Sequence, residues 1–486
     1  MDHRRPHWPR HALLLILYLA LLFDIGSATG VFRVQRKFSG RVHRIADLRA
    51  HDARRHGRIL AGSSSGVVDV PIGGIGLPTD SGLYYAQIGI GTPSTTYYVQ
   101  VDTGSDILWV NCITCTHCPK KSDIGIELKL YDPERSSSAK IVACDESFCY
   151  TTYGSDTPVC LRDAPCQYSV LYGDGSSTEG FFVTDNVQYD QVVANQHTIT
   201  ANASISFGCS SQQAGDLESP AEAVDGILGF GQSSSSMLSQ LASAGKARKI
   251  FAHCLDTKMG GGIFAIGNVV QPKVKTTPLI PDMPHYNVNL KSIEVGGSFL
   301  KLPSVVFETG DKKGTIVDSG TTLAYLPEVA FKPLMNAIFS YQPGLTFHTV
   351  QGFLCFEFSG RIDDAFPKVG FQFEGSVELS VYPNEYFFPY GDDLWCNGFQ
   401  SSALQSKDGE NLFLLGDMVL TNKLMIYDLE NQTIGWTEYN CSSSIQVEDD
   451  KTKAIYAINA HHLSSTNKPI IGILLLATSL MFHLLN

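Results

Sequence analysis

The sequence predicts a mainly β protein built from two similar lobes, and three observations carry that expectation. Short runs alternating apolar and polar residues recur along the chain, separated by Gly, Asn, Asp and Ser turns. One cassette occurs twice: "VDTGSDILWV" (101–110) places Asp102, Thr103, Gly104 and Ser105 after a strand-like run, and "TIVDSGTTLAYL" (315–326) repeats the order with Asp318, Ser319, Gly320 and Thr321. Each cassette is followed by an apolar pair ending in glycine, "DGILGFG" (225–231) and "LLGD" (414–417), which suits a buried strand lying close behind another backbone. A lone Asp-Thr-Gly is an ordinary strand-ending turn. Two in matched order point to an internal duplication.

From the N-terminus, residues 1–29 read as a signal peptide: Arg4, Arg5 and Arg10 precede the apolar run 11–23, and "GSATG" (26–30) follows it. Residues 30–75 read as a basic prosegment and a cleavable join. The strip 31–60 carries nine Arg and Lys against Asp47 and Asp52, and "AGSSSGVVDVPIGG" (61–74) is expected to be flexible, with a cut within about 61–83. Residues 61–486 hold 24 basic against 44 acidic side chains, a net of −20. In a secreted chain such a strip fits an inhibitor held over an acidic body, released as its carboxylate partners protonate, better than a nucleic-acid arm. No nucleic-acid partner is expected.

The lobes are placed at 76–278 and 279–441. Strands are expected at "YYAQIGIG", "TYYVQVD", "FFVTDNVQY", "SISFGC", "YNVNLKSIEVGG" and "LMIYDLENQTIGW", with short helices at 236–246 and 327–341 and no parallel α/β core. The hairpin around "YGDGS" carries Tyr172 and Gly173 at its tip and suits a lid over an extended ligand. Twelve cysteines in a secreted chain are expected to form disulfides, including Cys112, Cys115 and Cys118, whose spacing around His117 would suggest a metal site in a cytosolic protein. Asn202, Asn431 and Asn440 lie in glycosylation sequons. "GSSSG" (62–66) matches the serine-hydrolase pattern but has no strand before it, and no H-E-x-x-H occurs. No cofactor is expected.

Residues 442–468 read as a linker leading to the apolar tail 469–486, "PIIGILLLATSLMFHLLN", which no basic segment follows. Small residues, a polar spacer and a terminal apolar tail make a glycosylphosphatidylinositol (GPI) attachment signal, with Asn459 and Ser464 as candidate sites and a tail-end transmembrane helix as the alternative. The expected location is the outer face of the plasma membrane.

Over 84–441 these motifs resemble the pepsin-like aspartic proteases. The seven cysteines from 112 to 166 are similar to the atypical nucellin- and nepenthesin-like branch of plant members, a subset of which carries a GPI tail; only 98 positions separate Asp318 from Gly416, too few for the helical insert of typical plant members. The resemblance implies a bilobal β fold with the active site in the cleft. It implies Asp102 and Asp318 as a catalytic pair sharing one proton, with Ser105 and Thr321 donating hydroxyls and Gly104 and Gly320 admitting backbone N–H groups. Thr103 and Ser319 would brace the lobe junction, Tyr172 and Gly173 would form the flap, and Trp109 would support Tyr172. It also implies a Cys355–Cys396 bridge and a nested set, Cys144–Cys166 around Cys149–Cys160. Asp174 adds a charge to the flap turn. The implied activity is a monomeric endopeptidase acting on polypeptides below neutral pH. The rival is a catalytically weak relative that binds peptides or glycosidases at the cell surface. Retention of both aspartates and Tyr172 favours the enzyme.

Overall fold

The computed structural model describes residues 66–153, 160–161, 163–195, 197–310, 312–391, 393–404 and 411–463. The signal region, the basic strip, Ser464 and the apolar tail lie outside the described residues, as do residues 61–65 of the expected join.

The N-terminal lobe grows from a hairpin. Leu83–Ile90 and Thr95–Asp102 pair antiparallel, and the alternate residues Ile88, Ile90, Tyr97, Val99 and Val101 turn into the core. Gly226–Gly229 lies parallel to Thr95–Asp102 and antiparallel to Leu108–Thr116. Gly226 has no room for a side chain, because a Cβ there would strike the Trp109 carbonyl. The C-terminal lobe repeats the device: Lys313–Val317 runs parallel to Asn411–Leu415, which pairs antiparallel with Ala324–Leu326. A Cβ on Gly416 would strike the carbonyls of Thr321 and Leu323. The duplicated motif is therefore a duplicated topology.

One continuous sheet joins the lobes. Ile250–Leu255 pairs on one side with Gly262–Ile266 and on the other with Lys423–Asp428, which continues to Thr433–Glu438 and Lys275–Pro278. Aromatic contacts fix its middle, with Phe251 and Tyr427 stacked at 4.4 Å between centroids and Phe230 and Phe264 edge-to-face at 4.8 Å. Ser177–Ala194 and His197–Ala214, 18 residues each, form the long hairpin of the N-terminal lobe. Gln167–Leu171 pairs with its beginning and carries the flap. The two expected helices occur as Met237–Ser243 and Glu328–Phe339, the second burying Ala330, Leu334 and Ile338 at helical spacing.

Three expectations are corrected. Within the region read as a flexible join, Val67–Asp69 pairs with Gly262–Ile266 and with Ser177–Ala194, and Ile72–Ile75 pairs with Leu83–Ile90; Val67, Val68 and Ile72 are buried. Apolar burial outweighs the Gly and Ser content there. The region read as a linker is a hairpin, Ser444–Glu448 with Ile455–Asn459, added to Asn268–Gln271. Its alternate residues Ile445 and Val447, with Ile458, are buried against the Cys254–Cys441 disulfide. The cysteines 144–166 are crossed rather than nested: Cys144 joins Cys160 and Cys149 joins Cys166. The helix Ser147–Tyr153 turns Cys149 inward onto buried Cys166, leaving Cys144 for Cys160 at the rim. Cys355–Cys396 is present as expected, and Cys112–Cys209 and Cys115–Cys118 use up the metal-like spacing.

Candidate active site

Asp102 ends the Thr95–Asp102 strand, and Asp318 directly follows Lys313–Val317; each is anchored to the glycine-bearing strand beside it. The Phe230 N–H donates to the Asp102 carbonyl at 2.7 Å, and the Asp318 N–H donates to the Leu415 carbonyl at 3.0 Å. Beyond each aspartate the chain turns back over its own carboxyl. Gly104 N–H donates to Asp102 Oδ1 at 2.7 Å and the Ser105 hydroxyl donates to Oδ2. Gly320 N–H donates to Asp318 Oδ1 at 2.8 Å and the Thr321 hydroxyl to Oδ2 at 2.7 Å. The two loops are near copies.

They face each other closely. A Cβ on Gly104 would meet the Asp318 carboxyl, and a Cβ on Gly320 the Asp102 carboxyl, so glycine is required at both positions. Ser319 N–H donates to Thr103 Oγ1 at 2.9 Å, and the Ser319 hydroxyl to the Val101 carbonyl at 3.4 Å. Thr103 and Ser319 thus tie the two aspartate loops together. The two carboxyls are hydrogen-bonded to each other and are 5% and 9% exposed. Burial first, then the Asp318 charge, pushes the Asp102 carboxyl up to about 7, against the opposing pull of Ser105 and Gly104.

The flap closes on one side only. Trp109 Nε1 donates to the Tyr172 hydroxyl at 2.7 Å, and Tyr172 faces Ser105, the residue that donates to Asp102. The order from indole to phenol to hydroxyl to carboxyl leads from the flap to Asp102. Gly173 is exposed, with open space where a Cβ would stand. Asp174 turns inward on the flap: its Oδ1 accepts from the Ser176 N–H at 2.9 Å and hydroxyl at 2.7 Å, a side-chain turn that shapes the tip. Asn202, Asn431 and Asn440 are all exposed.

Other acidic groups went unread. Asp417 closes "LLGD" and is 1% exposed; burial, then the charges of Asp318 and Asp102, holds its carboxyl well above the usual range. Asp225 opens "DGILGFG", is fully buried, and accepts backbone N–H groups of Tyr98 at 2.8 Å and Lys129 at 2.6 Å. The signal for both was a charged residue inside an otherwise apolar run.

The chain matches the family described as "Xylanase inhibitor N-terminal" over residues 84–268 and "Xylanase inhibitor C-terminal" over 285–438. It is 45% identical over 464 residues to Aspartic proteinase 36 of Arabidopsis thaliana, covering 95% of this chain and 94% of that one. It is 43% identical to Aspartic proteinase 39 of the same plant, covering 94% of each. Aspartic proteinase nepenthesin-2 of Nepenthes gracilis is 28% identical over 71% of this chain and 74% of its own. Among solved structures, the Basic 7S globulin from soybean superposes with a TM-score of 0.59 at 18% identity, covering 77% of this chain and 96% of that one, which shows a shared fold.

Proposed function

The chain belongs to the plant aspartic proteinase family with these paired xylanase-inhibitor-type domains, and on that premise we propose that it is an active aspartic endopeptidase. One observation carries the reading: two buried carboxyls hydrogen-bonded to each other, each also held by a backbone N–H and a hydroxyl. Like charges at that separation cannot both ionise, so the pair keeps one proton. One carboxyl of the pair holds that proton at rest, and the other, ionised, is the base. The ionised carboxylate takes a proton from a water placed between the two, and the resulting hydroxide adds to the peptide carbonyl carbon while the protonated carboxyl protonates its oxygen. Collapse of the tetrahedral species breaks the C–N bond as the amine takes up a proton. Tyr172 would lie over the substrate. Asp102→Asn and Asp318→Asn, both near-isosteric, should each remove at least 10⁴-fold of peptide cleavage while leaving the fold intact, and pepstatin-type inhibitors should compete with substrate. Undiminished cleavage by either variant refutes the assignment.

A binding role toward peptides or glycosidases is the second reading, favoured by the description of the matching family. It predicts tight complexes without turnover, and the same assay separates the two.

Secretion, acid-triggered release of the strip 31–60 and GPI anchoring complete the proposal. The paired strands from Val67 onward favour a prosegment cut before that residue. For the anchor, Asn459 pairs with Ser444 in the terminal hairpin, and His461 and Leu463 beyond it contact Asp69 and Ile72. Attachment at Asn459 would discard those contacts, so Ser464 is the better site. Phosphatidylinositol-specific phospholipase C should release the protein from intact cells with His461 retained in its C-terminal peptide. Release by detergent alone points instead to a transmembrane tail.

A further inference from the structure

Beneath Thr103 the sheet shared by the lobes carries two polar side chains for which the chemistry above has no use. His253 lies on Ile250–Leu255 and Tyr427 on the adjacent Lys423–Asp428, and neither is exposed to solvent. His253 Nε2 is 3.1 Å from the Tyr427 hydroxyl, which faces the Thr103 side chain. Thr103 Oγ1 in turn receives the Ser319 N–H at 2.9 Å. The string ends where the two aspartate loops are braced together.

A structural role alone explains this poorly. Phe251 and Tyr286 clamp the Tyr427 ring at 4.4 and 4.7 Å, packing that phenylalanine would satisfy equally. Burying an imidazole has a cost that only its hydrogen bonds offset, and His253 Nδ1 has no partner among the described residues. An unpartnered lone pair is less unfavourable than an unpartnered N–H, so the proton belongs on Nε2. Nε2–H then donates to Tyr427, whose own O–H is directed onto Thr103 Oγ1. The Tyr286 hydroxyl is engaged elsewhere, donating to the Phe230 carbonyl at 2.6 Å.

We propose that Tyr427, oriented by His253, is a positioning residue for the aspartate pair: it fixes the Thr103 rotamer and, through the Thr103–Ser319 bond, the separation of the two carboxyls. Burial pushes His253 down to about 3, so the ring stays neutral and the string intact under acidic working conditions. The titratable groups facing Tyr427 are His253, Tyr286, Asp318 and Asp417.

The kinetic part of this proposal rests on the proteolytic reading. Tyr427→Phe removes a single buried oxygen. It should lower kcat about tenfold with KM changed less than twofold. It should also narrow the pH–rate bell by about half a unit at each limb, because loosened carboxyls repel less and their apparent pKa values converge. His253→Leu, which removes the donor at similar volume, carries the same expectation, and His253→Gln, which keeps a side-chain N–H, should recover much of the loss. A folded Tyr427→Phe enzyme with a lowered Tm but unchanged kcat and pH profile overturns the proposal. If the intact protein cleaves no peptide at any pH, the proteolytic reading fails, and carboxyl-region NMR titration of the pair still decides the positioning. A displaced midpoint in Tyr427→Phe supports it, and identical titration overturns it.

Discussion

The two aspartate loops agree in every bond that makes a carboxyl pair and differ in what lies above them. Each carboxyl receives one glycine N–H and one hydroxyl, and each glycine is pressed against the opposite carboxyl. Only Ser105, however, faces the flap residue Tyr172, which accepts from Trp109. Duplication supplies a symmetric pair, but hydrolysis needs an acid and a base with different proton affinities. On the proteolytic reading proposed above, the lid on one side is what sets the two loops apart.

Ser105→Ala against Thr321→Ala tests that asymmetry most strongly. The first removes the donor to Asp102 and the anchor of Tyr172 together; the second removes only the donor to Asp318. Losses of about 10² to 10³-fold in kcat/KM for Ser105→Ala and about tenfold for Thr321→Ala are expected, in line with removal of a catalytic-site hydrogen-bond donor. Equal losses would mean that the flap string does not reach the chemistry.

Stability against pH reads the same difference without substrate. The folded-state value of Asp102 is raised, so the folded protein is least disfavoured when this group is protonated; that advantage is complete below pH 4 and is lost as pH rises through about 7. Asp102→Asn cannot ionise. It should therefore match the wild type near pH 4 and exceed it increasingly up to pH 7, by at most about 4 kcal/mol, as 1.36 kcal/mol per unit implies. Denaturant titrations at several pH values measure this. An equal gain for Asp318→Asn would break the asymmetry between the loops.

Much of the site was legible because the chain states it twice. Asp102 and Asp318 each lie within one four-residue stretch with their own hydroxyl and glycine companions, so a local motif displays them. The strands were legible because period-two alternation survives in Thr95–Asp102 and Lys423–Asp428. His253 and Tyr427 were invisible for the opposite reason. They sit 174 positions apart inside apolar strands, and only sheet pairing brings them to Thr103. The strands at 67–75 were hidden by surrounding Gly and Ser, and the terminal hairpin by its charged turn "EDDKTK". In both segments the buried face, set by the neighbouring sheet, overrides local composition.

The smallest expected effect concerns where the N-terminal lobe ends. The segment after Asn459 returns across the shared sheet: His461 exchanges backbone hydrogen bonds with Gly262, and its Nε2 sits 2.9 Å from Asp69 on the first described strand. The two ends of the folded body are thus clasped together, although sequence reading placed both outside the lobes. Hydrogen bonding and charge from Asp69, with Asp190 adding attraction, outweigh burial and raise the His461 imidazole. A raised histidine contributes stability that is fully present below its unfolded value near 6.5 and fades as pH rises through the higher folded one. His461 is still partly exposed, with side-chain exposure of 29%, so the contribution should be at most about 1 kcal/mol. His461→Gln should lower Tm by a few degrees at pH 5 and by less at pH 8, while leaving kcat/KM unchanged because the clasp contacts neither aspartate loop. A Tm difference that grows with pH would show that the imidazole is held neutral, and that the ends are joined by backbone pairing alone.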